Sequence, residues 1–207
     1  TNVGWSMQSG LPWFIFFLKP MMVRMITMDY QRGLRMLKEK LETGSIDSKL
    51  EFTPSSKIDG CHYIGIERTC SMDEMDTCMQ QDFNRLTDLS LKNKLEEDSG
   101  QLSTLPFTIY SKWKMGKGLV SYTCAIPIKE KLQNIAELPF ETVSGYRPPC
   151  EAFVVTHTGD YQHLGNAWSA AMGRAQNKLI PQSKKIMPFE IYVTCPDHDG
   201  DLITKVC

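Results

Sequence analysis

The sequence predicts an α+β fold: an antiparallel sheet with helices on one face, built from duplicated strand–helix–hairpin units with pseudo-twofold symmetry, behind a long N-terminal helix. Three observations predict it. Two stretches of the chain repeat one pattern, each copy carries a helical apolar stripe followed by two extended runs, and residues 20–41 keep a helical period of their own. The 207 residues allow one large domain, or one domain with a fragment of another. With 42% apolar and 23% charged residues, a disordered, collagenous or multi-span membrane chain is excluded. Twenty-three basic residues against 24 acidic ones leave a net charge of −1. A nucleic-acid footprint has no source in that balance, so no nucleic-acid partner is expected.

The first element to justify is N-terminal. The apolar run Leu11–Leu18 is broken by Lys19 and Pro20, too short for the roughly 20 residues of a membrane span, and it lacks the basic start of a signal peptide. From Pro20, residues Met21, Met25, Met28, Leu34, Leu37 and Leu41 form a 3.6-period stripe, with Arg24, Arg32, Arg35, Lys38 and Glu39 on the other positions. Gly44 and Ser45 supply the stop. A methionine-rich stripe beside Trp13, Phe14, Phe16 and Phe17 is too apolar to stand alone in water. It is either an interfacial membrane helix or a packing helix. The segment "GSIDSKLEFTPSS" then reads as a polar link.

The repeat follows. Setting Cys61 on Cys150, an offset of 89, places Thr69 on Thr158, Met72 on Tyr161, Met75 on Leu164, Met79 on Trp168, Phe83 on Met172 and Leu86 on Ala175. These positions step by three and four, so both copies carry a helix stripe in the same phase. Ser71 and Glu74 fit a capping box in the first copy; Thr158 or Asp160 can cap the second helix. The match resumes 82 apart, "LPFTIY" (Leu105–Tyr110) answering "MPFEIY" (Met187–Tyr192). The polar insertion around "EEDSGQ" absorbs the difference. Glycine-bearing links then lead to "LVSYTCAIPI" and "LITKVC", each completing a hairpin. The repeats span 61–128 and 150–207, and the helices are expected to bury Met75, Met79, Phe83, Leu164, Trp168 and Met172. The last strand of the second copy stops where the first continues with "AIPI", which suggests a trimmed C-terminus.

Seven cysteines (Cys61, Cys70, Cys78, Cys124, Cys150, Cys195, Cys207) form no C-x-x-C, and the four histidines form no H-x-x-x-H. No metal site and no cofactor is expected, and the thiols read as small core hydrophobes in a reducing, cytoplasmic compartment. His157 and His163 read as surface or loop-bonding residues.

Two resemblances attach to these motifs. "FLKPMMVRMITMDYQRGLRMLKEKLE" resembles the C-terminal helix of START-like (SRPBCC) domains, which implies that residues 1–50 are the helical remnant of such a domain and that its sheet lies upstream. The tandem units with "HTGDYQHLGNAW" and "PFEIY" resemble the GyrI-like small-molecule-binding domain, also the effector-binding domain of bacterial AraC- and MerR-type regulators. That resemblance covers residues 51–207. It implies a cleft between the repeats that binds aromatic, often cationic, drug-like molecules (multidrug binding), with Glu190 facing the ligand and Tyr161, Trp168, Tyr110 and Phe83 around it.

The residues permit this reading. On an extended "FEIY", Glu190 and Tyr192 share one face while Phe189 and Ile191 share the other. The first copy has Thr108 where the second has Glu190, so the unit does not need the carboxylate to fold. From spacing alone Glu190 fits a solvent-facing strand position as well as a pocket, and Trp168 fits core packing as well as ligand contact. Small-molecule binding, as sensing or sequestration, is the favoured function. The alternative is a hydrolase of strained, cyclopropane-bearing electrophiles, with Glu190 as its catalytic residue. The N-terminal fifty residues hold one helix, not the two a helix-turn-helix needs. The apolar segment Trp13–Leu41 calls for either a second copy of the chain or the START-like sheet as its partner.

Overall fold

The computed structural model describes residues 2–8, 10, 12–93, 104–129, 142–183, 185–194 and 200–207. In chain order they form α1 (Lys19–Thr43), β1 (Ser48–Ile58), β2 (Cys61–Ser71), α2 (Met75–Asn93), β3 (Phe107–Lys114), β4 (Leu119–Ile128), β5 (Thr142–Arg147), β6 (Cys150–Gly159), α3 (Gly165–Gln176), β7 (Phe189–Tyr192) and β8 (Ile203–Val206). The expected class is the observed one: an eight-stranded, wholly antiparallel sheet with two helices on one face and a long helix in front.

The strand order is β1-β6-β8-β7-β3-β4-β2-β5. Read backwards, with each strand exchanged for its counterpart in the other copy, it is the same order. That is the signature of a pseudo-twofold axis. The axis passes through the central β3–β7 pair, where Thr108 lies opposite Glu190, its own counterpart in the repeat. Tyr110 N–H donates to Pro188 O at 3.0 Å and Tyr192 N–H to Pro106 O at 2.9 Å, the same bond made twice about the axis.

The polar link was misread. It is β1, eleven residues long, and it pairs with β6 of the other copy, while β5 pairs with β2. Each copy therefore starts with one more strand than the repeat analysis gave it, and the two leading strands are exchanged. Pro54 and the serines beside it obscured the strand. They sit at a register shift between Thr53 and Ser56, where a bulge accommodates a residue that cannot donate to the ladder.

The exchange bends the sheet. Ile58 and Cys61 are joined by two residues, which span at most ~11 Å. A flat sheet would hold β1 and β2 six strand spacings apart, roughly 29 Å. The sheet must curl until its ends meet, and the inside of the curl becomes a core of Ile58, Cys61, Phe107, Ala125, Val154, Phe189 and Ile191. Arg147, 2% exposed, lies in that core over the rings of Phe107 and Phe189, at 4.5 and 4.9 Å.

The outer face is covered by the helices. From α2, Leu86 is buried, and Met75, Cys78, Met79 and Phe83 pack on Ile64, Ile66, Tyr122 and Cys124. Leu164 and Trp168 pack with Ala167 on Val155 and Val206. Met172, expected in this core, is 44% exposed: the same stretch of α3 instead turns Ala171 to the core and Arg174 over the rings of Phe52 and Phe153, at 4.0 and 5.7 Å. The helix α2 also buries a carboxylate. Asp82 accepts from Arg68 Nε at 2.7 Å, from Arg68 Nη2, and from Tyr122 Oη at 3.0 Å. Ser71 and Glu74 bond side chain to side chain at 2.7 Å ahead of α2; Asp160 caps the 3₁₀ turn Tyr161–His163 that precedes α3, accepting from Gln162 N at 2.8 Å, while α3 itself starts after Leu164 without the expected side-chain cap.

A 3₁₀ turn (Trp13–Leu18) leads into α1, which ends at Gly44 in the left-handed conformation (φ 82°). No residue of α1 is fully buried: on the apolar stripe Met21, Leu34 and Leu37 are half-buried, while Met25, Met28 and Leu41 are exposed. Polar positions dock the helix as well. Arg32 Nη1 donates to Gly165 O at 2.8 Å and to Ser169 Oγ at 2.6 Å, and Glu39 bonds His163 Nε2 while accepting from Asp47 N at 2.7 Å. Trp5 closes over the helix at Gly33, where an added Cβ would meet its ring at 2.6 Å. No described helix is long and apolar enough to cross a membrane.

Candidate functional site

The site forms where the axis crosses the helix-covered face. Antiparallel pairing of β3 and β7 at Thr108–Glu190 puts Tyr110 and Tyr192, two residues further along each strand, on the same face on either side of the pair. Tyr110 and Tyr192 are counterparts in the repeat. Both turn inward to one acceptor: Glu190 Oε2 receives Tyr110 Oη at 2.8 Å and Tyr192 Oη at 2.6 Å. From α3, Trp168 Nε1 donates to Oε1. The carboxylate is 1% exposed, and no Lys, Arg or His among the described residues bonds it.

Rings surround this carboxylate. Trp168 meets Tyr110 edge-on at 5.1 Å, and Trp113 stacks on Tyr110 at 5.2 Å with 22° between planes. Phe83, from α2, and Tyr161, from the 3₁₀ turn Tyr161–His163, each meet Tyr192 edge-on, at 5.3 and 6.1 Å. Met79, the counterpart of Trp168 in the repeat, places its sulfur 3.9 Å from Tyr110 Oη. Tyr192 Oη also lies 3.1 Å from the Thr108 hydroxyl, itself 3.8 Å from Cys124 Sγ. A near-symmetric aromatic frame thus encloses one carboxylate that breaks the symmetry.

Burial raises the Glu190 pKa above its ordinary value. The bonds from Tyr192, Trp168 and Tyr110 pull the other way, and Asp76 on α2 adds a small upward push. The two tyrosines are held well above their ordinary range by burial and by the adjacent carboxylate, so they stay neutral donors. Nothing here activates a nucleophile. Burial pushes the Cys124 thiol upward and the Cys70 thiol up to about 11. Among the described residues, no group of three His, Cys, Asp or Glu could hold a metal ion.

All five residues named from the sequence meet here: Glu190, Tyr110 and Trp168 by direct hydrogen bonds, Phe83 and Tyr161 through the Tyr192 ring. Tyr192, Trp113 and Met79 were not named. Tyr192 was within reach, because it shares Glu190's strand face and lies 82 residues from Tyr110. Trp113 carried no such signal, since a register shift between Tyr110 and Lys112 breaks the alternation that would have placed it.

The histidines were misplaced by the sequence reading. His157 and His163 are both fully buried, not at the surface. His157 Nε2 lies 3.1 Å from Ser48 Oγ on β1, and His163 bonds Glu39 on α1. They hold the N-terminal segment onto the second copy. His198 and Cys195 lie outside the described residues; the six described cysteines are free thiols.

The comparisons with known proteins bear on the fold. No protein-family model matches the sequence, and no curated relative matches it. Solved structures do match. This chain superposes on SAV2435 bound to tetraphenylphosphonium with a TM-score of 0.56 and 12% identity, over 75% of this chain and 91% of that one. It matches the EcmrR C-terminal domain with a TM-score of 0.53 and 14% identity, over 76% and 94%. Against EcmrR in its DNA complex the TM-score is 0.55 at 14% identity, over 89% of this chain, which spans 65% of that chain's length. The chain has the fold of these proteins.

Proposed function

We propose that residues 51–207 are a GyrI-like binding module that holds a lipophilic, aromatic-compatible cation between its two copies, for sensing or for sequestration. One observation carries this reading: a fully buried carboxylate, without a basic partner among the described residues, enclosed by aromatic side chains. Such a charge is costly where it stands. A ligand cation supplies the missing countercharge, and the ring faces add cation–π attraction. That SAV2435, a protein of the same fold, binds tetraphenylphosphonium supports the choice of ligand class. Glu190, Tyr110, Trp168, Tyr161 and Phe83 are the proposed binding residues, joined by Tyr192 and Trp113.

The hydrolase alternative has less behind it. Glu190 already accepts from three protein donors, and burial holds the nearby Cys124 thiol in its protonated, unreactive form. Residues 1–50 are proposed, on their sequence resemblance, as the C-terminal helix of a START-like domain. Their exposed strip, including Phe16 (68% exposed), Phe17 and Val23, would then meet that domain's sheet or a second copy.

The test is calorimetric titration with tetraphenylphosphonium against wild type and Glu190→Gln. The amide keeps the shape and removes the charge. A loss of about 1.5–3 kcal/mol is expected, the scale of interactions with a charged group, or about ten- to a hundredfold in affinity. Unchanged binding would remove Glu190 from the site.

A further inference from the structure

We propose that the inner face of the sheet carries a second site, at Arg147, which takes a small monocarboxylate. It stands apart from the cation reading of the outer face. Arg147 is 2% exposed. Its Nη2 donates to Asp59 O at 3.3 Å, while Nε and Nη1 have no hydrogen-bond partner. Asp59 itself is exposed and meets Arg147 through that carbonyl alone. A guanidinium brings five N–H donors, and a buried charge without an opposite charge is costly.

The repeat shows that the fold does not require this charge. At the offset of 89, Arg147 falls on Ile58, a buried core residue. The two hold equivalent places in the ladder, since Cys61 lies opposite Arg147 as Cys150 lies opposite Ile58. The guanidinium carbon sits 4.5 and 4.9 Å from the ring centroids of Phe107 and Phe189, counterparts from the two copies, so it stands close to the pseudo-twofold axis. Glu190 breaks the symmetry on one face of the β3–β7 pair, and Arg147 breaks it on the other. Strand alternation keeps the two charges apart: Phe189 meets Arg147, and Glu190, the next residue, turns to the opposite face.

The thiols nearby do not serve as the anion. Burial raises both Cys150 and Cys207, the latter up to about 12, against a smaller downward pull from Arg147. The surroundings decide what anion fits. One guanidinium balances one negative charge, so a doubly charged phosphate or sulfate would leave a surplus buried. The planar fork matches a carboxylate, whose two oxygens accept parallel N–H bonds. Ile58, Val154 and the two phenyl rings of this core suit a short apolar tail. Near-complete burial keeps the ligand small. The links Asp59–Gly60 and Pro148–Pro149, exposed at Asp59, Pro148 and Pro149, give the approach from solvent.

The experiment follows thermal unfolding of the full chain at pH 7.5 while sodium acetate replaces sodium chloride at constant ionic strength. Wild type is compared with Arg147→Met, Arg147→Lys and Asp59→Asn. Methionine removes the charge but keeps an apolar side chain, a change that buried charges often tolerate. Wild type should show a saturable rise in Tm, about 3–5 °C once acetate exceeds its dissociation constant about tenfold. Arg147→Met should show no rise. Arg147→Lys keeps the charge without the fork and should need about tenfold more acetate for the same rise. Asp59→Asn should respond as wild type does. A wild-type Tm indifferent to acetate overturns the proposal, and so does a rise that persists in Arg147→Met, which would be a general salt effect. A response that appears only in Asp59→Asn also overturns it, by making the Asp59 side chain the counterion. Should Arg147→Met fail to fold, Arg147→Lys decides: an unchanged acetate dependence there refutes the site.

Discussion

The pH dependence of cation binding is the sharpest consequence of a buried carboxylate, because its sign is fixed by the structure. Burial raises the Glu190 pKa above 4.5 in the free protein, against three hydrogen bonds that lower it. A cation bound beside it favours the ionised form, so binding releases a proton whenever the free site is protonated. Affinity must then be constant at high pH and fall below the ligand-free pKa. For one proton coupled to one ligand, the limiting slope is about tenfold per pH unit. The neighbouring titratable groups do not disturb this. Tyr110 and Tyr192 are held neutral by their raised pKa values, and Asp76 only adds to the upward shift. Removing the Tyr192 hydroxyl deletes one of the bonds that favour the charge, so Tyr192→Phe should move the break to higher pH.

The same shift has a stability sign. A carboxylate whose pKa is raised on folding contributes stability that is present below its unfolded pKa and lost as pH rises through the folded value. Ligand should therefore stabilise the protein most at the alkaline end, where the free site carries an uncompensated charge. The assay is isothermal titration with tetraphenylphosphonium from pH 4.5 to 8.5, with thermal unfolding measured alongside. Glu190→Gln should give a flat profile. An affinity that does not change over this range in wild type, or a break that persists in Glu190→Gln, would refute the reasoning, since the titrating group would not be the one facing the ligand.

Other expectations concern the frame. Asp82→Ala strands a half-buried Arg68 and the Tyr122 hydroxyl, and should cost about 3–5 kcal/mol in urea unfolding; a loss below 1 kcal/mol would mean the pair is solvated. His157 has its pKa lowered by burial first and by His163 second, so its contribution is present above the unfolded value of 6.5 and is lost as pH falls. His157→Gln should flatten the acid limb of a stability–pH curve below 6.5. Arg32→Ala removes two contacts to the start of α3, worth about 0.5–1.5 kcal/mol each. Hydrogen exchange across α1 should quicken while exchange in β3 and β7 stays slow; loss of protection in both would tie α1 to the core.

Much of this protein is written in its sequence. The repeat was legible because each copy buries the same faces: Met79 and Trp168, or Tyr110 and Tyr192, occupy counterpart positions and face the same pressure to be apolar or aromatic. The placement of Glu190 beside Tyr192, away from Phe189 and Ile191, followed from strand alternation, a property of local backbone geometry. Tertiary structure decided what periodicity cannot carry. A stripe tells which side of an element is apolar, not what covers it: Met172 has the right phase yet is 44% exposed, while Arg32 and Glu39, off the apolar stripe of α1, bond Gly165, Ser169 and His163. Nor does a chain segment announce its partner strand. β1 looked like a linker because its ladder is completed by β6, about a hundred residues away, and the curl that follows from that exchange brings Arg147 over Phe107 and Phe189. The burial of His157, His163 and Asp82 has the same origin, because a polar side chain can be buried only where another segment supplies its partner, and that supply is settled by topology rather than by neighbours in sequence.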